Sequence, residues 1–392
     1  MADPVLIYNT RMVTPDDVSD DGWVYCEGRR ITRMGVGAAP ELDGVARLDA
    51  GGLILLPGFI DVHVHGAAGF DTMDASPDGL RCMAQFYARH GVTGFLATTW
   101  ADTHERILAA LKIVAVAQGQ QPDGATILGA HLEGPYLNPG KCGAQKVECI
   151  RRADSREART LLDLDIIRLL SLAPEYAENH WLITECVRRG VTVSAAHTGA
   201  TYEQIVDAAQ LGLTHATHTF NAMTGFNHRE PGVAGAVMTL PQIRCELIAD
   251  NVHVHPAAMW VLARAKGMDG VVLITDAVRC AGMPVGECTL DERSVMVKDG
   301  AVRLPDGTLA GSILTMDTAL RNYMQATAEP LERAWRACSW NAARAIHLAD
   351  RKGSLEVGKD ADMVLVDEAV HVYLTMAEGR VVYCDHERLV CS

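Results

Sequence analysis

The chain has 392 residues, with 35 Lys and Arg against 49 Asp and Glu, a formal net charge of −14, and 48% hydrophobic residues. This composition supports a packed core and excludes a disordered chain, and the acidic balance gives no electrostatic reason to bind nucleic acid or an anionic membrane surface. The longest strongly apolar stretch, residues 53–60, is far too short to span a bilayer and contains Pro57 and Gly58. The first residues, Met1 to Val5, lack the basic region and long apolar run of a signal peptide, so a cytoplasmic location is expected. Eleven cysteines are scattered without a CxxC pair, which reads as reduced thiols rather than a disulfide framework. Cys142 and Cys280 are the two that fall beside the motifs below.

Taken in chain order, residues 4–56 carry short strands and turns, with strands expected at 5–8, 22–26, 30–34 and 46–49. The middle then alternates β-rich runs with helical patterns, the signature of a parallel sheet built from βα units. Strands are predicted at 59–65, 93–99, 126–133, 166–173, 192–197, 215–219, 245–249 and 271–275. Helices are predicted at 77–90, 104–117, 176–189, 202–211 and 256–265. Eight such strands fit a (β/α)8 TIM barrel over residues 57–351. A doubly wound open sheet competes on this pattern, but no GxGxxG turn follows an early strand. Residues 282–311 read as a β-hairpin excursion after the eighth strand. The C-terminal part resumes short strands at 362–366, 370–376 and 380–383. Neither end is long enough for its own core, so 1–56 and 352–392 are expected to pair into one small β-sandwich beside the barrel.

The chemistry-bearing residues gather at the predicted strand ends. His63 and His65 are two apart on an extended strand, so their imidazoles point the same way, a chelating arrangement. Glu133 closes the third strand because Gly134 and Pro135 stop it. His197 ends the fifth, His218 the sixth and Asp276 the eighth. In a barrel these ends ring one pocket, so His63, His65, Glu133, His197, His218 and Asp276 are expected to surround a metal site. His215, three before His218, should face the other way and be structural. His131 shares the face of Glu133 one layer deeper and reads as core or support.

The segments PGFIDVHVHG (57–66), HLEGPYLNPGKCGAQ (131–145), SAAHTGAT (194–201), THTFNAMTGFNHREPGVAGA (217–236), IADNVHVHP (248–256), LITDAV (273–278) and KGSLEVGKDADMVLVD (352–367) resemble the amidohydrolase superfamily. Within it they most resemble the N-acetylglucosamine-6-phosphate deacetylase family, from near Leu6 through Val366. The resemblance implies a metal-dependent barrel with a β-sandwich, usually a homodimer, acting on N-acetylated amino-sugar phosphates. It matches Glu133, His197 and His218 to the principal metal ligands, and His63 and His65 to a first-metal pair that some members lack. Two divalent ions are therefore expected, bridged by Glu133 and a water or hydroxide, with zinc first and iron or manganese as alternatives. Asp276 matches the catalytic aspartate. Asn221 and Ala222 resemble the phosphate-side backbone, and His253 a contact to a substrate hydroxyl or phosphate. Arg229 resembles an arginine that reaches phosphate from the neighbouring subunit, the plainer alternative being a surface ion pair with Glu230. Gln145 stands where many members have a histidine near the acetamide carbonyl; it can donate a hydrogen bond but carries no charge. The N-acetylgalactosamine-6-phosphate counterpart, or another N-acyl hydrolase, is the competing substrate class.

Overall fold

The computed structural model describes residues 3–386. Eight strands buried along almost their whole length alternate with helices through the middle of the chain: Phe59–Val64, Val92–Thr98, Gly124–Glu133, Ile167–Leu172, Thr192–Ala195, His215–Ala216, Arg244–Ile248 and Val271–Ile274. Such double-sided burial is what near-continuous apolar runs predict for a parallel sheet covered by helices. Each strand pairs in parallel with the next in chain order. The eighth meets the first through a parallel bridge between Val64 and Ala277, with the Asp276 N–H donating to the His63 carbonyl at 2.9 Å. The sheet is thus a nearly closed barrel rather than an open doubly wound sheet.

Helices Pro77–Ala88, His104–Ala117, Ala177–Arg188, Tyr202–Gln210 and Pro256–Lys266 lie within two residues of their predicted ends. Local chemistry sets their starts. Ser76 accepts from the Gly79 N–H with Pro77 in the first turn, and Thr201 and Gln204 form a reciprocal capping box. The helix Gly232–Thr239 was not foreseen, because GVAGAVMT has neither a clear amphipathic stripe nor strong propensity. Tertiary burial decides it: six of its residues are buried. Among the described residues no helix is long and apolar enough to cross a membrane.

The two chain ends meet in one eight-stranded sheet. Its path runs Arg380–Cys384, Val372–Ala377, Met363–Val366, Ile54–Pro57, Val5–Val13, Val18–Glu27, Arg30–Val36, with Ala46–Asp49 also paired to Val5–Val13. The joining strand Ile54–Pro57 was not read from the sequence, since its four buried residues blend into the apolar run that leads into the barrel. It pairs antiparallel with Met363–Val366. One apolar cluster draws on both ends, including Ile7, Val24, Ile31, Leu55, Met363 and Leu374. Beside it, buried Lys352 donates to Asp362 at 2.7 Å and Glu378 at 3.0 Å and lies 3.0 Å from Asp360.

The segment after the eighth strand is more than a hairpin. Gly286–Leu290, Arg293–Lys298, Ala301–Arg303 and Leu309–Ser312 form a four-stranded antiparallel meander. Leu290, Val295, Val297 and Val302 pack with Trp100 and Ala144, so the meander lies against the barrel mouth. The expectation of unpaired thiols is also corrected here, because Cys280 and Cys288 are joined by a disulfide that ties the first meander strand to the loop after Asp276.

Candidate metal centre

The polar residues of the barrel mouth converge as the strand-end argument requires, but not because the strands carry them all. The fifth, sixth and eighth strands end at Ala195, Ala216 and Ile274, short of their predicted limits. His197, His218 and Asp276 instead occupy left-handed backbone, with φ of 43°, 29° and 50°. Non-glycine residues rarely adopt this conformation, and it clusters at functional sites. Here it breaks the strand and turns each side chain toward the barrel axis. Gly134, at φ 81° and close against Ala101, ends the third strand just past Glu133.

Glu133 lies at the centre, buried. Its Oε1 is 3.3 Å from His197 Nε2 and 3.2 Å from His218 Nε2. Its Oε2 is 3.2 Å from His65 Nε2 and 3.5 Å from His63 Nε2. Asp276 Oδ1 faces this second pair, at 3.3 Å from His65 Nε2 and 3.5 Å from His63 Nε2. Burial alone would raise the Glu133 carboxyl, but His63, His197 and His218 hold it well below the usual carboxylate range. The same contest, with His63 and His65 on the opposing side, leaves Asp276 below its ordinary value.

The donor set fits divalent metal. His197 Nδ1 is 2.8 Å from the Lys141 carbonyl and His218 Nδ1 is 3.2 Å from the Asn221 carbonyl. A carbonyl only accepts, so both Nδ1 atoms carry the proton and both Nε2 atoms present lone pairs. Those two Nε2 atoms nonetheless face each other at 3.1 Å. Two lone pairs and a carboxylate oxygen at such range call for a cation between them, and carbonyl-oriented imidazoles are what metal-ligating histidines use. His63, His65 and Glu133 form one possible ligand group, and Glu133, His197 and His218 a second. A third close group, His63, His131 and Glu246, lies deeper. There Glu246 accepts from His63 Nδ1–H, and His131 Nε2 is engaged by Ser171. The two groups at the mouth are therefore the candidates to hold metal, and Glu133 belongs to both.

Above them opens a cavity of about 430 Å³. Gln145, Asn221, Ala222 and His253 all line it. His253 is held by Asp250, whose Oδ2 is 2.6 Å from the ring Nδ1. Both ends of the Gln145 amide are engaged. The Ala101 N–H donates to its Oε1 at 2.7 Å, which fixes the amide so that Nε2 donates to Glu133 Oε2 at 2.7 Å. Arg229 is not brought to this cavity: it is exposed, and its Nη1 lies 3.0 Å from His228 Nε2 rather than in an ion pair with Glu230.

His131 and His215 sit outside the ring of ligands. His131 Nε2 is 2.8 Å from Ser171 Oγ, and burial pushes its pKa down to about 3. His215 is directed to the buried carboxylate of Glu246, at 3.2 Å. Sequence reasoning gave Glu246 no role, although an acid in the otherwise apolar run of the seventh strand was a usable signal. It also missed the cavity positions of Trp100, Lys141 and Arg303. Trp100 stacks on His65 with ring centroids 3.8 Å apart.

A nearly closed parallel barrel with this His and carboxylate set defines a class, and comparison with known proteins agrees. The amidohydrolase family pattern matches residues 54–382, and the chain belongs to this family. More particularly, it is 41% identical over 340 residues to the N-acetylglucosamine-6-phosphate deacetylase of Lysinibacillus sphaericus, covering 86% of this chain and 88% of that protein. It is 38% identical to an N-acetylgalactosamine-6-phosphate deacetylase of Escherichia coli O157:H7, over 93% of this chain and 96% of the relative. The crystal structure of N-acetylglucosamine-6-phosphate deacetylase from Pasteurella multocida superposes with a TM-score of 0.91 at 30% identity, covering 96% of this chain and 99% of that one.

Proposed function

We propose that the chain is a divalent-metal-dependent amide hydrolase that converts N-acetylglucosamine-6-phosphate to glucosamine-6-phosphate and acetate. The observation that carries this reading is the shared carboxylate. Glu133 offers one oxygen to each histidine pair, with Asp276 beside His63 and His65, on the floor of a cavity of about 430 Å³. The proposal assigns one ion to His63, His65 and Glu133 and another to Glu133, His197 and His218. Zinc is the proposed metal, and iron or manganese would suit the same donors.

A divalent ion bound there supplies two things: it lowers the pKa of water from about 15.7 to about 7, and it polarises an amide carbonyl. The chain's own residues do the rest. Asp276 accepts a proton as water attacks the acetyl carbon, then delivers it to the departing nitrogen, so that one carboxylate serves as base and then acid. Gln145 restrains Glu133 through its Nε2–H. Asn221, Ala222 and His253 orient the sugar phosphate. Arg229 serves the cavity of a second copy in a homodimer, where a guanidinium gives an acidic protein a phosphate-specific grip. In this reading residues 57–351 are the catalytic unit and 1–56 with 352–392 a small β-sandwich, and the enzyme works in the cytoplasm. The galactosamine epimer is the alternative reading; one relative carries that name, but other relatives are N-acetylglucosamine-6-phosphate deacetylases and do not favour it.

Acetate release from a panel of N-acetylated hexosamines, with and without the 6-phosphate, tests the substrate. The highest kcat/KM is expected for N-acetylglucosamine-6-phosphate. A higher value for the galacto epimer would transfer the assignment, and equal values with and without phosphate would remove the phosphate claim.

A further inference from the structure

Glu246 is a fully buried carboxylate on the seventh strand that the reaction described above does not use. Its Oε2 accepts from His63 Nδ1–H at 2.9 Å and from the backbone N–H of His218 at 3.1 Å. Its Oε1 accepts from His215 Nε2–H at 3.2 Å. A carboxylate taken out of water is costly unless it is well paired, and an apolar residue would fill the same space without that cost. What distinguishes its partners is where they belong: His63 to the first ligand group and His218 to the second.

We propose that Glu246 is a positioning residue that aligns both halves of the metal centre from beneath. By accepting the Nδ1 proton of His63 it fixes the tautomer in which Nε2 presents its lone pair toward Glu133 and Asp276. By accepting the His218 N–H it holds the left-handed turn, φ 29°, that carries His218 Nε2 to Glu133. The two effects are unequal. The turn has a second support, since the Thr219 N–H donates to the Glu246 backbone carbonyl at 2.9 Å. The His63 ring is held at Nδ1 by the Glu246 side chain. The first ligand group therefore depends on this carboxylate more than the second. The inference rests on the two-ion reading above.

The test is metal content and chelator resistance of Glu246→Gln beside the wild-type protein, with melting temperature of the metal-free forms as the check on folding. The wild type is expected to hold two ions per chain. Glu246→Gln is expected to lose the more weakly held ion at chelator concentrations 10–100-fold lower while keeping the other, the usual scale for removing a partner of a ligating histidine. Should Glu246→Gln not fold, Glu246→Asp replaces it with the same expectation, because the shorter side chain cannot span the His63 contact. His215→Leu, which removes the Oε1 partner and supplies no donor in its place, is expected to keep both ions at wild-type resistance. Two tightly held ions in the Glu246 variant would overturn the proposal, as would equal loss in His215→Leu, which would mark the effect as general packing. A wild type that takes up only one ion would instead overturn the two-ion reading itself, an outcome seen in a different sample.

Discussion

Asp276 and Gln145 show how the environment divides labour between neighbouring polar groups. Asp276 has one oxygen against His65 and His63 and borders the cavity, so it can exchange a proton with a bound substrate. Gln145 also borders the cavity, but its amide is used on both sides, by the Ala101 N–H and by Glu133. Asp276→Asn keeps an oxygen toward the histidines and cannot take a proton. It is expected to retain the wild-type metal content while kcat falls by about 10²–10⁴, the usual share of general acid–base catalysis. Steady-state turnover beside elemental analysis of the same preparation decides it, and near-normal turnover in the metal-replete variant would refute the role. At this scale the convergence of His63, His65, Glu133, His197, His218 and Asp276 was legible because residue type and strand-end position both pointed to one mouth. The orientation of Gln145 was not, because it depends on a backbone N–H forty-four residues away in sequence.

At the scale of elements, barrel strands and their helices could be read because continuous apolar runs and capping residues act locally. The exceptions are cases where tertiary contacts outweigh local preference. Left-handed turns at His197, His218 and Asp276 shorten three strands, and burial alone makes Gly232–Thr239 helical. The meander from Gly286 to Ser312 is a further exception. Its polar alternation resembles a surface hairpin, but Arg303 and residues 307–309 reach the cavity. The Cys280–Cys288 link anchors it, with the two cysteines eight residues apart. Closing so short a loop contributes about 2–3 kcal/mol on chain-entropy grounds. Cys288→Ser is therefore expected to unfold at lower denaturant, and adding reductant should shift the wild type by more than the variant. Identical denaturation curves for the two oxidised proteins would show that the link adds nothing to stability.

For the whole molecule, the ion cluster around Lys352 fastens the terminal sheet. Burial alone would lower the lysine pKa, but Asp362, Glu378 and Asp360 reverse this and raise it above the ordinary value. A lysine whose folded pKa is raised contributes stability that is complete below its unfolded pKa, about 10.4, and that is lost as pH climbs through the folded pKa. Lys352→Met leaves buried Asp362 without its cation, while Glu378 keeps Arg29 and Asp360 keeps Arg30 and Arg351. It is expected to cost about 3–5 kcal/mol at pH 8. Thermal unfolding of both proteins at pH 8 and pH 11 should show the gap narrowing with alkalinity, whereas a constant gap would count against the pairing. The pairing of the chain ends was legible from their length, too short for separate cores. Its hinge strand, Ile54–Pro57, was not, since four apolar residues carry no signal of which sheet they join.

That hinge strand imposes an order on biosynthesis. Ile54–Pro57 leaves the ribosome long before its hydrogen-bonding neighbour Met363–Val366 has been made, and at about 5–20 residues per second the wait is roughly a quarter of a minute to one minute. Throughout that interval the nascent N-terminal ribbon offers an open, apolar edge to other chains. Slowed elongation or truncation upstream of residue 363 should therefore produce aggregates rather than a soluble barrel with an incomplete terminal sheet.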